Sequence, residues 1–458
     1  MAFYKISNPT DHRICVVMVG LPARGKTFIS QKLVGYLSWL SIKAKCFTFA
    51  DFRRKCGHLS PHALEFNKNT GVINEGVESN DEDEDEEVIE EQALEQIRKW
   101  FQSENGVIAV LDDTNITSNR RRSIIEFCQK NNIQPIFVES WSEDEDFVQC
   151  NVKDMGRKSI EYKHMDPLEA KQKVMENINK FKKNYEPLDF EKDSDLTFVK
   201  LNSGSKEILI NKIQTYLQSK IVFYILNLDL KPRCIWLSRH GESLYNLEQK
   251  IGGDSLLSKR GEKYSSKLPA IVKESAGLKE KDIVVWTSTL KRTQQTAQYL
   301  TNKKLQWRAL DELDAGICDG MTYEEIEEKY PDDFQARDEN KYEFRYRGGE
   351  SYRDVALRLE PVIMELERQE NILIITHQAV LRCIYAYYMN IPQEQSPWVS
   401  IPLHTLIKIE PRAYKTKVTT IKANIPAVST YKVKGTSHVG EAEDVYTKPY
   451  GIIKDTSS

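Results

Sequence analysis

The sequence predicts a two-part α/β protein, each part built on a largely parallel, doubly wound sheet. Three observations support this. Strand-like apolar runs alternate with helical stretches through the first half, and the same rhythm resumes in the second. In both halves, the residues just after a strand are ones that hold phosphate. They form a glycine-rich loop in the first half and a set of histidines and arginines in the second.

The elements follow in order. A first strand, Ile14–Val19, runs into Gly20–Thr27 and a helix to about Leu40. Further strands are expected at Ala44–Phe49, Val107–Leu111 and Pro135–Glu139. Residues 78–91 contain an unbroken acidic run, Asp81–Glu87. They read as a self-repelling, solvated and flexible insertion that leads into a helix carrying on to Trp100. Lys231-Pro232 interrupts an apolar run near Asn227–Arg233 and marks the join. This places one domain at 1–228 and another at 229–432. Residues 433–458, rich in Ser, Thr, Gly and charge, are expected to form a flexible tail. In the second half Ile235–Leu237, Ile283–Trp286 and Ile372–Ile375 read as strands, each leading through polar residues into a helix.

Composition excludes several function classes. Sixty-five basic against 68 acidic side chains leave a net charge of −3 over 458 residues, so the chain is no globally basic nucleic-acid binder. Anionic ligands must instead be held by local clusters of Arg and Lys. The longest apolar runs, Ile14–Leu21 and Ile221–Leu230, are strand-sized, so no membrane partner is expected. The N-terminus lacks a signal-peptide layout, and the eight cysteines form no CxxC, which fits reduced thiols in the cytoplasm. Cys56, His58 and His62 lie close together but lack a fourth ligand at a useful spacing.

Gly20-Leu21-Pro22-Ala23-Arg24-Gly25-Lys26-Thr27 fits the G-x-x-x-x-G-K-[ST] phosphate loop. The glycines let backbone N–H groups turn inward, and the following helix adds its positive end. Lys26 would meet the terminal phosphates and Thr27 would ligate Mg²⁺, so Mg-ATP is the expected ligand. Asp112 ends a strand, where an acid can take a hydroxyl proton or hold the metal. Thr114, Asn115 and Arg120 follow. The bland alternative makes Asp113 or Thr114 a helix N-cap.

The second constellation is Arg239-His240, directly after a strand. A second strand–turn–helix delivers Ser288 and Arg292, and a third delivers His377 and Gln378 with Arg382 one turn on. A neutral imidazole can attack phosphorus, and planar guanidiniums grip phosphoryl oxygens in pairs. His240 is thus the expected nucleophile, and His377 would donate to the phosphoryl group. Glu312 would serve as acid and base, although spacing alone does not separate it from Asp311 and Asp314. Phe334–Arg353 interleaves basic and aromatic residues, including Arg337, Lys341 and Tyr352. It suggests a second phosphate pocket, or in part a solvated loop. His12, His164 and His438 carry no assigned role. His404 reads as a core or supporting residue.

Together the two halves resemble the bifunctional 6-phosphofructo-2-kinase/fructose-2,6-bisphosphatases over about residues 12–430, with the strongest likeness to fungal members. The resemblance implies a P-loop kinase-like domain followed by a histidine phosphatase domain of the phosphoglycerate-mutase type. It implies a phosphatase that hydrolyses fructose 2,6-bisphosphate to fructose 6-phosphate through a phosphohistidine and needs no cofactor. It also implies a cytoplasmic homodimer and ATP as a ligand of the first half. By resemblance, Arg239, His240, Asn246, Arg292, Glu312 and His377 handle the 2-phosphate. Gly252, Tyr323, Arg337, Lys341, Tyr352, Gln378 and Arg382 hold the sugar and its 6-phosphate. The phosphate loop, Arg53, Asp112, Thr114 and Arg120 match the kinase site.

The kinase half also departs from the family pattern. Ile89 stands where a fructose 6-phosphate arginine is expected, Gly156 where a transition-state lysine is, and Asn177 where a second sugar-phosphate arginine is. Phe181 replaces a tyrosine. Lost cationic contacts at about 2–4 kcal/mol each imply a kinase-like half with little or no kinase activity. Three other readings stay open from sequence. The chain could be fully bifunctional, with Lys153 or Lys158 substituting for the missing lysine. It could be a non-catalytic nucleotide-sensing scaffold, or a sugar-phosphate mutase.

Overall fold

A computed structural model describes residues 13–49, 51–52, 81–159, 162, 165–202, 207–231, 233–277, 282–412, 416–432 and 439–440. The chain divides into two compact units, Met1–Leu230 and Lys231–Ser458.

The first unit is organised by strand β1 (Ile14–Val19), whose ICVVMV sequence is buried throughout. A continuous apolar run suits a strand covered on both faces. The other strands are β2 (Ala44–Thr48), β3 (Ile108–Asp112), β4 (Gln134–Trp141), β5 (Phe198–Asn202) and β6 (Ile208–Asn211). The sheet order is β2-β3-β1-β4-β5-β6, parallel except for the antiparallel β6 edge. The phosphate loop thus leaves the carboxyl end of a central strand and enters the helix Lys26–Trp39.

One expectation changes here. The acidic stretch is not a flexible insertion from residue 81 onward, because Asp81–Gln102 is one helix. Glutamate is a good helix former, and Ile89, Ala93, Ile97 and Phe101 give the helix a buried stripe at four-residue spacing. The apolar run from Ile221, as short as a strand, forms part of the helix Tyr216–Asn227, begun by a Thr215/Gln218 capping box.

The second unit carries β7 (Cys234–Arg239), β8 (Val284–Thr287), β9 (Lys304–Gln306), β10 (Asn371–Thr376), β11 (Thr405–Glu410) and β12 (Lys417–Lys422). Their order is β12-β11-β7-β10-β8-β9. The β7–β10–β8–β9 part is parallel, and β11 and β12 add an antiparallel side. The β10–β7 register sets Thr376 against Arg239, and the β10–β8 register sets Ile375 against Thr287. The next residues on the three strands are His377, His240 and Ser288, so strand pairing alone brings them to one edge. Beyond the expected boundary at residue 432, Val439–Gly440 pairs with Tyr431–Lys432. These two tail residues are therefore ordered in a small antiparallel ladder. The rest of 433–458 lies outside the described residues, as do Arg53, Cys56, His58, His62, His12, His164 and His438. No described helix is long and apolar enough to cross a membrane.

Candidate active site

At the edge of the second sheet, the His240 and His377 rings lie with centroids 5.2 Å apart. Both histidines are buried. His240 Nδ1 is 2.7 Å from its neighbour's carbonyl, Gly241 O. A carbonyl can only accept, so the proton sits on Nδ1 and the Nε2 lone pair is left for chemistry. His377 Nε2 meets Ser288 Oγ at 2.7 Å, and its buried Nδ1 has no hydrogen-bond partner among the described residues. Burial first, then Arg292 and Arg239, hold both imidazoles well below the ordinary histidine range.

Two guanidiniums, Arg239 and Arg292, act on the pair, and a third, Arg382, acts on Arg239. Arg239 Nη1 donates to Ile401 O at 2.9 Å and to Thr430 Oγ1 at 2.7 Å, while its Nε is buried and unpartnered. Arg292 Nη1 donates to Gly253 O at 2.6 Å. Burial lowers both arginines, and Glu312 opposes that fall. Arg382 is fixed by Val399 O at 2.7 Å and Tyr352 OH at 2.9 Å.

The structure separates the three acids that spacing could not. Asp311 Oδ1 accepts from Thr289 N at 2.8 Å, and Asp314 Oδ1 accepts from Gly316 N at 2.8 Å. Only Glu312 reaches the start of the helix Gln378–Met389. Its Oε2 accepts from Gln378 N and its Oε1 from Ala379 N, both at 3.1 Å, with Leu313 N on Oε1 at 3.0 Å. Three of roughly four lone-pair sites are filled, leaving one on Oε2. Arg358, which belongs to no motif, donates to Asp311 O at 2.8 Å and Glu312 O at 3.3 Å and so fixes this turn.

The basic-aromatic stretch divides into a buried and an exposed part. Arg337 is buried, bonded to Tyr346 OH at 2.8 Å and Tyr323 OH at 3.1 Å. Lys341 is buried over the Trp398 ring at 4.0 Å, near Tyr352. Burial pulls Lys341 well below the ordinary lysine range. Arg345, Arg347 and Arg353 are instead exposed and paired with Asp354, Asp333 and Glu343. Gly252 has a φ of 71°, and a Cβ there would lie 1.7 Å from Asp319 Oδ1. Asn246 Oδ1 accepts from Ser243 N at 2.9 Å and so caps its own short helix. His404 supports the site as expected, its Nε2 accepting from Glu242 N at 3.0 Å. Sequence reasoning missed Trp398, Thr430 and Lys432, which belong to segments with no motif of their own, and Asp338, an acid inside a stretch singled out for its basic and aromatic residues.

In the first unit the loop is held open. Gly20 has a φ of 128°, and a Cβ there would lie 2.5 Å from Ser140 O. Gly20 N donates to Thr114 O at 2.9 Å, Asn151 Nδ2 to Ala23 O at 3.1 Å, and Arg24 Nε to Ser142 O at 3.0 Å. Lys26 Nζ folds onto Leu21 O at 2.6 Å, and burial pushes it down to about 8 against the pull of Asp112. Burial raises Asp112 to about 6, opposed by Lys26 and the Thr27 hydroxyl, and its Oδ2 has no hydrogen-bond partner. Neither Asp113 nor Thr114 is the N-cap of the helix Ser118–Lys130. That role belongs to Thr117, whose side chain accepts from Arg120 N at 3.4 Å.

Arg120 is neutralised in place by Asp113 Oδ2 at 3.2 Å and Glu90 Oε2 at 3.1 Å, and it lies over Phe49. Ile89 belongs to the core, so that position faces the sheet and its neighbour Glu90 is the one that meets Arg120. The sequence holds no basic residue from Asp81 to Ile97. Gly156 is buried with its Cβ position 3.3 Å from the Ala170 Cβ, and Asn177 Nδ2 donates to Tyr162 OH at 2.8 Å.

Comparison with known proteins bears directly on these two sites. Residues 2–232 match the family model described as 6-phosphofructo-2-kinase, and residues 235–424 match the histidine phosphatase superfamily, branch 1. A Saccharomyces cerevisiae protein named fructose-2,6-bisphosphatase is 60% identical over 456 residues, covering 100% of this chain and 99% of that one. The chain belongs to the bifunctional 6-phosphofructo-2-kinase/fructose-2,6-bisphosphatase family. Family members named 6-phosphofructo-2-kinase/fructose-2,6-bisphosphatase 3 align more distantly. The rat protein is 42% identical, covering 93% of this chain and 78% of its own length. The human protein is 41% identical, covering 99% and 86%.

Proposed function

We propose that the protein hydrolyses fructose 2,6-bisphosphate to fructose 6-phosphate and phosphate through a phosphohistidine on His240. One observation carries this reading: a neutral, buried imidazole with its tautomer fixed stands with the guanidiniums of Arg239 and Arg292, and among the described residues two buried nitrogens there, Arg239 Nε and His377 Nδ1, have no partner. Among the described residues these nitrogens face the charge a phosphoryl group would bring. In the first step His240 Nε2 bonds to phosphorus and the bond to the sugar 2-oxygen breaks. Glu312, protonated at its remaining Oε2 site, gives its proton to the departing oxygen. In the second step water attacks phosphorus, Glu312 takes the water proton, and the P–N bond breaks to free His240. Arg239, Arg292 and His377 hold the transferring oxygens, with Asn246 assisting. Arg337, Lys341, Arg382, Tyr323, Tyr352, Gln378 and Gly252 hold the sugar and its 6-phosphate. No cofactor takes part in these steps.

The first unit serves as a nucleotide-binding domain with little kinase activity. The loop Gly20–Thr27 would hold ATP phosphates, with Mg²⁺ at Thr27 and Asp112, whose buried Oδ2 suits a cation. Bound Mg-ATP would supply a transferable phosphoryl group. Arg120, however, is already matched by two carboxylates, and neither Gly156 nor Asn177 offers charge. The test is one purified protein and two assays. Phosphate release from fructose 2,6-bisphosphate should be readily measured, and ATP-dependent phosphorylation of fructose 6-phosphate should stay below about 1% of that rate. Kinase turnover above that level supports the bifunctional reading. Product isomerisation without phosphate release supports a mutase. No turnover in either assay supports a scaffold.

A further inference from the structure

Residues 423–432 leave β12 and run back over the C-terminal site, tied down at four places. Ala423 N donates to His404 O at 2.9 Å, and His404 Nδ1 lies 3.1 Å from Ile425 O. Val428 N donates to Glu242 Oε1 at 2.9 Å, on a buried carboxylate also gripped by Ser258 and Arg260. Thr430 Oγ1 accepts from Arg239 Nη1 at 2.7 Å. Lys432 Nζ meets Asp338 Oδ2 at 2.6 Å, and the other oxygen, Oδ1, holds Arg337 Nη1 at 2.9 Å. The Thr430 tie ends on Arg239 and the Lys432 tie on the carboxylate that holds Arg337, yet the reaction as described uses neither Thr430 nor Lys432.

Lys432 is only 3% exposed, packed over the Phe334 ring at 4.5 Å and the Tyr323 ring at 5.6 Å. Tyr323 is also the ring under Arg337 and a partner of its guanidinium. Arg337, Arg382 and Lys432 all lie within electrostatic reach of Lys341, and the Asp338 carboxylate pairs with both Arg337 and Lys432. Burying that much positive charge favours a bound dianion. Asp338 shares its two oxygens between strap and helix, so the direction of the Arg337 guanidinium depends on where Lys432 stands.

We propose that Thr430 and Lys432 are further positioning residues of the phosphatase, one at each phosphate. Thr430 aims Arg239 at the transferring phosphoryl group. Lys432, through Asp338, aims Arg337 at the second, non-reacting phosphate of the sugar and thereby selects a bisphosphate. The proposal rests on the hydrolase reading above.

The test compares fructose 2,6-bisphosphate with fructose 2-phosphate, which lacks the second phosphate. Lys432→Met should raise KM for the bisphosphate about tenfold with kcat within about threefold. The ratio of the two kcat/KM values should fall by a similar factor. Lys432→Arg should restore the ratio. Asp338→Asn should reproduce the loss, and it serves as the second variant should Lys432→Met fail to fold. Thr430→Val should instead lower kcat about three- to tenfold and leave KM for the bisphosphate nearly unchanged. A merely structural strap would cost both substrates equally, and an unchanged ratio in Lys432→Met and Asp338→Asn would overturn the proposal. Wild-type protein that hydrolyses neither compound overturns the hydrolase reading and this inference with it. An active wild type with an unmoved ratio overturns this inference alone.

Discussion

Both units place positive side chains at the carboxyl end of a parallel sheet, yet they treat that charge in opposite ways. At the N-terminal site, Arg120 is paired with the carboxylates of Asp113 and Glu90. At the C-terminal site, Arg239 and Arg292 are tied mainly to carbonyls and a hydroxyl, which orient a guanidinium without cancelling its charge. A carboxylate partner satisfies an arginine and removes its pull on an incoming anion, whereas a carbonyl aims it. The difference teaches that the number of cations near a loop says less about phosphate chemistry than the nature of their partners.

The comparison can be broken most decisively at the nucleophile. His240→Ala should lower bisphosphate hydrolysis by about 10³-fold or more in a phosphate-release assay, and retained turnover would remove the C-terminal site from the account. Arg292→Ala follows, with an expected loss of about 10²-fold in kcat/KM, since a guanidinium aimed by a carbonyl contributes to charge stabilisation. On the other side, Lys26→Ala should weaken ATP binding about tenfold or more by calorimetry while leaving the hydrolysis rate within about twofold. Coupled losses at both sites would deny that they act separately. The smallest effect concerns protonation. Burial and flanking arginines lower the His240 and His377 values, so both imidazoles should remain neutral in the ligand-free protein as pH falls through about 6.5. Imidazole NMR signals that titrate with midpoints at or above that value would show that burial and the arginines do not act as described.

Much of this was legible in the sequence because it is local. Ile14–Val19 running into a glycine-rich loop specifies a strand, a turn and a helix within a few residues, and Arg239-His240 stands at the end of β7. The meeting of His240 with His377 was also readable, since parallel strands of similar length end together. What was not legible is long-range or context-dependent. Thr430 is 191 residues from Arg239 and Lys432 is 94 from Asp338, in a segment with no periodicity. The acidic run reads as an insertion because its charge is conspicuous, while the stripe Ile89, Ala93 and Ile97 that fixes the helix lies just beyond it. Glu312 could be told from Asp311 and Asp314 only once the start of the helix Gln378–Met389 was in place.

The central claim is a covalent bond between phosphorus and His240. Fructose 2,6-bisphosphate labelled with ³²P at the 2-position, mixed with the protein and quenched in alkali within the first turnovers, tests it directly. The account predicts alkali-stable label on a peptide containing residue 240, absent from His240→Ala. Rapid hydrolysis with no protein-bound label, or label on a different side chain, would contradict it.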